Sequence, residues 1–114
     1  MSELDSGLRG ILSLVGGKVI DLSRSAAQCL EVQGLLIVRV EPDVGDTYNR
    51  NVFALDRGKI LWQIEESPHG TEKDKPFTSI SLGRDGELIA GNWNGVDYSV
   101  DISDGTIQVK NFKK

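Results

Sequence analysis

Apolar and polar residues alternate through much of the chain, in short runs that stop at glycine-bearing turns. That period of two marks strands with one buried face. The C-terminal third shows it best. Asp85-Gly86, Asn94-Gly95 and Asp104-Gly105 each read as a tight hairpin turn, because glycine supplies the positive φ such turns need. Two-residue pairing across Asn94-Gly95 sets Trp93 against Val96, Gly91 against Tyr98 and Ile89 against Val100. Pairing across Asp85-Gly86 sets Leu82 against Ile89 and Ile80 against Gly91. Across Asp104-Gly105, Ile102 meets Ile107 and Val100 meets Val109. The three turns together place Ile80, Leu82, Ile89, Trp93, Val96, Tyr98, Val100, Ile102, Ile107 and Val109 on one face. The opposite face carries Ser79, Ser81, Asn92, Asp97, Ser99, Asp101, Gln108 and Lys110, with Leu88 and Ala90 as exceptions. A four-stranded meander over 77–111, packed on one side and wet on the other, is the expectation.

The central hairpin, 48–66, turns at Arg57-Gly58. Pairing there puts Phe53, Leu55, Ile60, Trp62 and Ile64 on one face and Val52, Ala54 and Leu61, beside Lys59 and Gln63, on the other. A strand pair apolar on both sides belongs inside a barrel or between layers. In the N-terminal strands, 1–41, LRGILSLV and KVIDLS read as a hairpin and GLLIVRVEP as a strand. Between them SRSAAQCLEVQG reads two ways: a short helix capped by Ser23 or Ser25 and ended by Gly34, or a strand turning at Gln33-Gly34. The strand is favoured, since the strand that follows needs a neighbour. The whole is expected to be one all-β domain over 1–114, an antiparallel meander of about nine or ten strands forming a two-layer sandwich or an open curved barrel. Its C-terminal sheet should pack on the central hairpin through Trp62, Phe53, Tyr98 and Trp93.

Charge narrows the partners. Seventeen acidic residues against thirteen basic give a net charge of -4, which disfavours nucleic acid, where binding rests on cations that neutralise phosphate, and suits a basic partner. One cysteine, Cys29, allows no intramolecular disulfide, and cytoplasmic residence is the expectation. The opening MSELDSGLRG lacks a basic region followed by an apolar core, so no signal peptide is expected. No apolar run approaches the roughly 20 residues of a membrane-spanning helix, and no membrane partner is expected.

Chemistry-bearing patterns are sparse. His69, the only histidine, lies in the polar connection ESPHGTEKDKP and reads as a solvated loop residue. One histidine and one cysteine fall short of an ordinary zinc set. Nucleophile-elbow, phosphate-loop and dinucleotide-binding motifs are all missing. Asp43 and Asp46 in EPDVGD lack the alternation and terminal Glu of a calcium loop. Glu65 and Glu66 read as solvating charge, and Cys29 as a small buried hydrophobe. The expectation is a protein that is not an enzyme, with no catalytic, cofactor-binding or metal-ligating residues. Candidate partner-binding residues are Asn92, Asp97 and Asp101 on the polar sheet face, with Asp46, Tyr48 and Arg50 where a loop enters the central hairpin.

Ala54-Leu55-Asp56 followed by Gly58 and Trp62 resembles the blade motif of quinoprotein propellers, an Ala-x-Asp and then Gly-x-x-x-Trp, whose Trp docks neighbouring blades. One residue separates Asp56 from Gly58 where the family has three, no second Trp follows Gly105, and no quinone cofactor is implied. A wider stretch, NRNVFALDRGKILWQIE through FTSISLGRDGELIAGNWNGVDYSVDISDGTI, resembles small, mostly uncharacterised bacterial all-β proteins, with Leu-Trp-x-Ile and Asn-Trp-x-Gly as its distinctive elements. That likeness implies a bacterial origin and, for some such proteins, a role as immunity partner of a secreted toxin. The expected function is a non-enzymatic cytosolic protein-binding module, most concretely an immunity protein that binds a basic toxin domain, with a monomer favoured. The alternative is an oligomeric propeller-like or lectin-like ligand-binding protein. FALDRGKILWQIE and YSVDISDGTIQVK, which share a strand-turn-strand form, read as two hairpins of one irregular domain, since their turn glycines keep no fixed period.

Overall fold

A computed structural model describes residues 12–15, 18–21, 26–41, 49–57, 59–69 and 73–112. The fold is all-β. Strands β3 (Ala26–Val32), β4 (Leu35–Val40), β5 (Val52–Asp56) and β6 (Lys59–Gln63) form one antiparallel meander, and β7 (Phe77–Leu82), β8 (Leu88–Asn92), β9 (Val96–Val100) and β10 (Ile107–Phe112) form a second. These two sheets hold eight strands, against the nine or ten expected, because the N-terminal hairpin of β1 (Leu12–Val15) and β2 (Lys18–Asp21) makes a separate two-stranded ladder. No described helix is long and apolar enough to cross a membrane. The stretch that reads as helix or strand is strand. β3 turns into β4 at Gln33 (φ 51°) and Gly34 (φ 83°), and Val32 pairs with Leu35, the geometry of a two-residue turn with both central residues left-handed.

One core lies between the sheets. Ile37, Val52, Ala54, Trp62 and Ile64 of the first meander meet Phe77, Ile80, Leu88, Ala90, Val96, Tyr98 and Val100 of the second. A separate buried cluster, Val38, Val40, Phe53 and Leu55, occupies the opposite face of the first sheet. The central hairpin is therefore apolar on both sides, but its residues divide differently from the two-residue pairing. Leu55 pairs with Ile60 and Ala54 with Trp62, so Leu61 is an extra, bulged residue. A shift of one residue exchanges faces. Trp62 thus joins Val52 and Ala54 in the shared core, while Phe53 packs on the far side.

The second meander differs from expectation in one strand. Ala90 pairs with Tyr98 and Ile80 with Ala90, where two-residue turns would have placed Gly91 in both pairs. Gly86 donates its N–H to Gly83 O, and Gly95 to Asn92 O, at 2.9 and 3.0 Å. In each turn only the glycine is left-handed, which is the three-residue form, a type I turn closed by glycine. Asn92 favours it at the second turn by accepting from Asn94 N at 2.9 Å, a side-chain mimic of a backbone turn. Both turns shift by one, so β7 and β9 keep their expected faces and β8 alone is reversed. Leu88 and Ala90, the exceptions on the polar face, are buried in the core, and Trp93 is 64% exposed at the hairpin tip. Across the last turn Val100 pairs with Ile107 instead of Val109, an even shift that preserves the faces.

Side-chain amides join the two sheets. Asn51, only 1% exposed, donates to Val40 O and Phe77 O and accepts from Phe77 N. Gln28 on edge strand β3 accepts from Ile80 N at 3.0 Å and is itself held by Arg39 Nε at 2.7 Å. Trp62 completes the junction. Its Nε1 donates to Ile102 O at 2.8 Å, and its ring lies so close to Gly105 that a Cβ there would stand 2.6 Å from Cε3. FALDRGKILW and YSVDISDGTIQV are thus the third and fourth strands of successive meanders, and the Trp of the first rests on the turn glycine of the second.

Candidate functional site

Odd-numbered positions of β8 and β9 face away from the core. On this outer face Ser79, Gly91 and Asp97 form one cross-strand row, and Ser81, Ile89, Ser99 and Gln108 the next. A Cβ on Gly91 would meet Ser79 Oγ at 2.7 Å and Asp97 Oδ1 at 3.1 Å, so both groups lean over the gap that glycine leaves. At the second row a depression of about 260 Å³ is lined by Glu87, Ser99, Val100, Asp101, Thr106 and Gln108. Glu87 sits at its side, bonded to the Lys110 ammonium and to Ser99 Oγ at 3.2 Å. The hydrogen bond from Lys110 is the main cause that lowers the Glu87 pKa; desolvation opposes it, and the Lys110 charge and then the Ser99 hydroxyl lower it further. Asp101 is lowered too, by the Ser103 hydroxyl and then the Ser103 backbone N–H, both of which donate to Oδ1. Residues 77–110 carry five carboxylates against two basic side chains, Arg84 and Lys110. This face presents hydroxyls, a primary amide and negative charge.

Of the candidate residues, Asp97 and Asp101 share the outer side of the β9 segment, four positions apart with Ser99 between them. Asp101 is partly committed to its own turn. Asn92 belongs elsewhere: the reversal of β8 turns it inward, where it is 6% exposed and donates to Lys75 O at 2.9 Å. Arg50 clamps the end of β6, through Nε to Ile64 O at 2.8 Å and Nη2 to Gln63 O at 3.2 Å. Asp46 and Tyr48 lie outside the described residues. Glu87 was not singled out by sequence reasoning; the signal was its position two residues before Ile89 on a face that the wrong register had assigned to the core.

A second polar cluster ties Ser67 and His69 to the β8–β9 turn. Buried Ser67 bonds Tyr98 OH, Tyr98 bonds His69 Nδ1 at 2.9 Å, and Asn94 Nδ2 reaches Ser67 Oγ, His69 O and Tyr98 OH at 2.8, 3.1 and 3.2 Å. Ser67 Oγ also accepts from His69 N at 3.3 Å. Tyr98 OH lies between Ser67 Oγ and His69 Nδ1 and links the two. His69 is stacked on the Tyr98 ring with centroids 5.8 Å apart, so the reading of a solvated loop histidine is corrected. Lys75 Nζ reaches His69 O at 3.3 Å. Ser67 and Tyr98, at 1% exposure each, have no open face toward a substrate, and the cluster acts as a clasp. Among the described residues no three His, Cys, Asp or Glu side chains are grouped to hold a metal ion.

Compared with known families, residues 8–112 match one described as a domain of unknown function, DUF7957. No curated protein and no solved structure matches the chain.

Proposed function

The chain belongs to the DUF7957 family, and we propose that it is a non-enzymatic, cytoplasmic protein-binding module that offers the outer face of β7–β10 to a basic partner. The observation that carries this reading is the acidic, hydroxyl-rich depression beside Glu87, Ser99 and Asp101. Negative charge presented on a rigid sheet steers a cationic partner into encounter and fixes its orientation without any catalytic group. An immunity protein blocking a basic toxin domain of bacterial origin is the most concrete version. The test uses a partner captured on the immobilised full chain and binding kinetics in a salt series. The association rate should fall steeply with salt, and Ser81→Lys with Gln108→Lys should slow it by about tenfold, as expected for charges that steer encounter. Lys59→Glu, on β6, should not slow it. Salt-independent association, or full binding by the double lysine variant, overturns the reading.

The seat of Trp62 on Gly105 favours a second reading, in which the two meanders are blade-like units of a propeller-like ligand-binding protein. The polar outer face argues against ring closure, because a further blade would need apolar surface there and would bury Glu87 and Asp97. A polar outer face is instead what a terminal, capping unit presents. We therefore take the architecture as a two-layer sandwich and the protein as a monomer. Light scattering on the eluting protein decides between them: 12.5 kDa supports the monomer, a discrete ring the propeller.

A further inference from the structure

Asn94 is the one asparagine of the chain followed by glycine. Such a bond is chemically fragile for a steric reason, since glycine has no Cβ to hold its backbone nitrogen away from the preceding side chain. That nitrogen attacks Cγ of the asparagine, the Cγ–Nδ2 bond breaks and ammonia leaves, closing a cyclic succinimide. Water then opens the ring to aspartate or isoaspartate, with no change of oxidation state.

In the folded chain both reacting groups are occupied. Gly95 N, the attacking atom, donates to Asn92 O at 3.0 Å. Nδ2, the leaving nitrogen, spreads its two hydrogens over Ser67 Oγ, His69 O and Tyr98 OH. Oδ1 accepts from Val96 N at 2.9 Å, which fixes the carboxamide in rotation. The atom that must depart is thus one that fastens Ser67 and His69 to the turn.

We propose that Asn94 is a spontaneous modification site gated by this clasp: the reaction runs from the opened turn, and once it has run the Asn94 arm of the clasp cannot reform. The product places a carboxylate oxygen where Nδ2 stood. It has no hydrogen to give to His69 O, and two acceptors then face each other at a hydrogen-bond distance. The isoaspartate product also lengthens the turn backbone. Either product loses the bond to His69 O and leaves Ser67 and His69 held through Tyr98 alone.

The test holds the full chain at physiological temperature and mildly alkaline pH, native and in denaturant. Peptide mass mapping follows replacement of the Asn94 amide. Conversion should be slower in the native chain by about tenfold or more, the protection expected of an opening-limited site. Tyr98→Phe, which removes one acceptor and leaves Asn94-Gly95 intact, should raise the native rate several-fold. Amide hydrogen exchange at Ser67 and His69 should quicken in the aged wild-type protein and in Asn94→Asp alike. Equal native and denatured rates overturn the gate. Unchanged exchange after conversion overturns the clasp.

Discussion

Asn51 holds both backbone groups of Phe77: its Oδ1 accepts the Phe77 N–H at 2.8 Å and its Nδ2 donates to Phe77 O at 2.9 Å. The carboxamide behaves as one residue of a strand, bridging the β4–β5 end of the first sheet to the first residue of β7, and Nδ2 also reaches Val40 O. Asn51→Leu keeps the approximate volume and removes all three bonds. Each orphaned buried group costs about 1–3 kcal/mol, so the expected loss is about 3 kcal/mol or more. Urea unfolding should show a lower midpoint at unchanged slope. A loss under about 1 kcal/mol would mean that the sheets do not depend on this bridge.

Gly34 and Gly105 share a left-handed φ, 83° and 81°, and differ in surroundings: nothing lies near a Cβ at Gly34, whereas the Trp62 ring blocks one at Gly105. Gly34→Ala should therefore cost about 1 kcal/mol, the backbone term alone. Gly105→Ala adds displacement of a rigid indole and should cost at least about 2 kcal/mol. Equal losses in parallel denaturation curves would show that Trp62 does not need the glycine.

The two tryptophans should behave as opposites. Trp62 is 6% exposed and Trp93 64% exposed. Trp62→Phe forfeits the bond to Ile102 O as well as volume and should lose about 1–3 kcal/mol, while Trp93→Phe should stay within about 0.5 kcal/mol. The variant that retains only Trp62 should emit to the blue and resist acrylamide quenching. The reverse result would place Trp93 in the core.

Glu87 supplies a pH dependence whose sign follows from its lowered pKa. Its folded value lies below the ordinary 4.5, so its stabilising effect is present above the ordinary Glu range and is lost as pH falls through the folded value. The side chain is 34% exposed and screened by solvent, and the effect is read best as a titration. Carboxyl NMR should give Glu87 a midpoint below the ordinary value, moving up toward it in Lys110→Gln. An unmoved midpoint would assign the shift to something other than Lys110.

Strands and turns were legible in the sequence; registers were less so. Gln33-Gly34 obeyed the two-residue rule, and β3 to β4 came out as expected. Asn94-Gly95 offers the same short-range signal, but Asn92 two residues earlier also forms a turn through its side chain, and the three-residue loop results. The unexplained apolar pair Leu88 and Ala90 was the trace of that slip. At Leu61 no local signal marks the bulge, because both faces of β5 are apolar and either register buries them. The clasp was illegible for another reason. Ser67, His69, Asn94 and Tyr98 are brought together by the docking of two sheets, and no spacing along the chain encodes that.

The inter-sheet bonds of Gln28, Asn51 and Trp62 span 52, 26 and 40 residues, whereas the ladders of each meander join neighbours in the chain. Hairpins close over short loops, and long-range contacts wait until the loop-closure entropy between them has been met. Each meander can therefore zip before the amides engage. The bridging residues act late on the folding route, and their loss should appear in the unfolding rate, with the folding rate nearly unchanged. They set how long the molecule stays folded, not how fast it gets there.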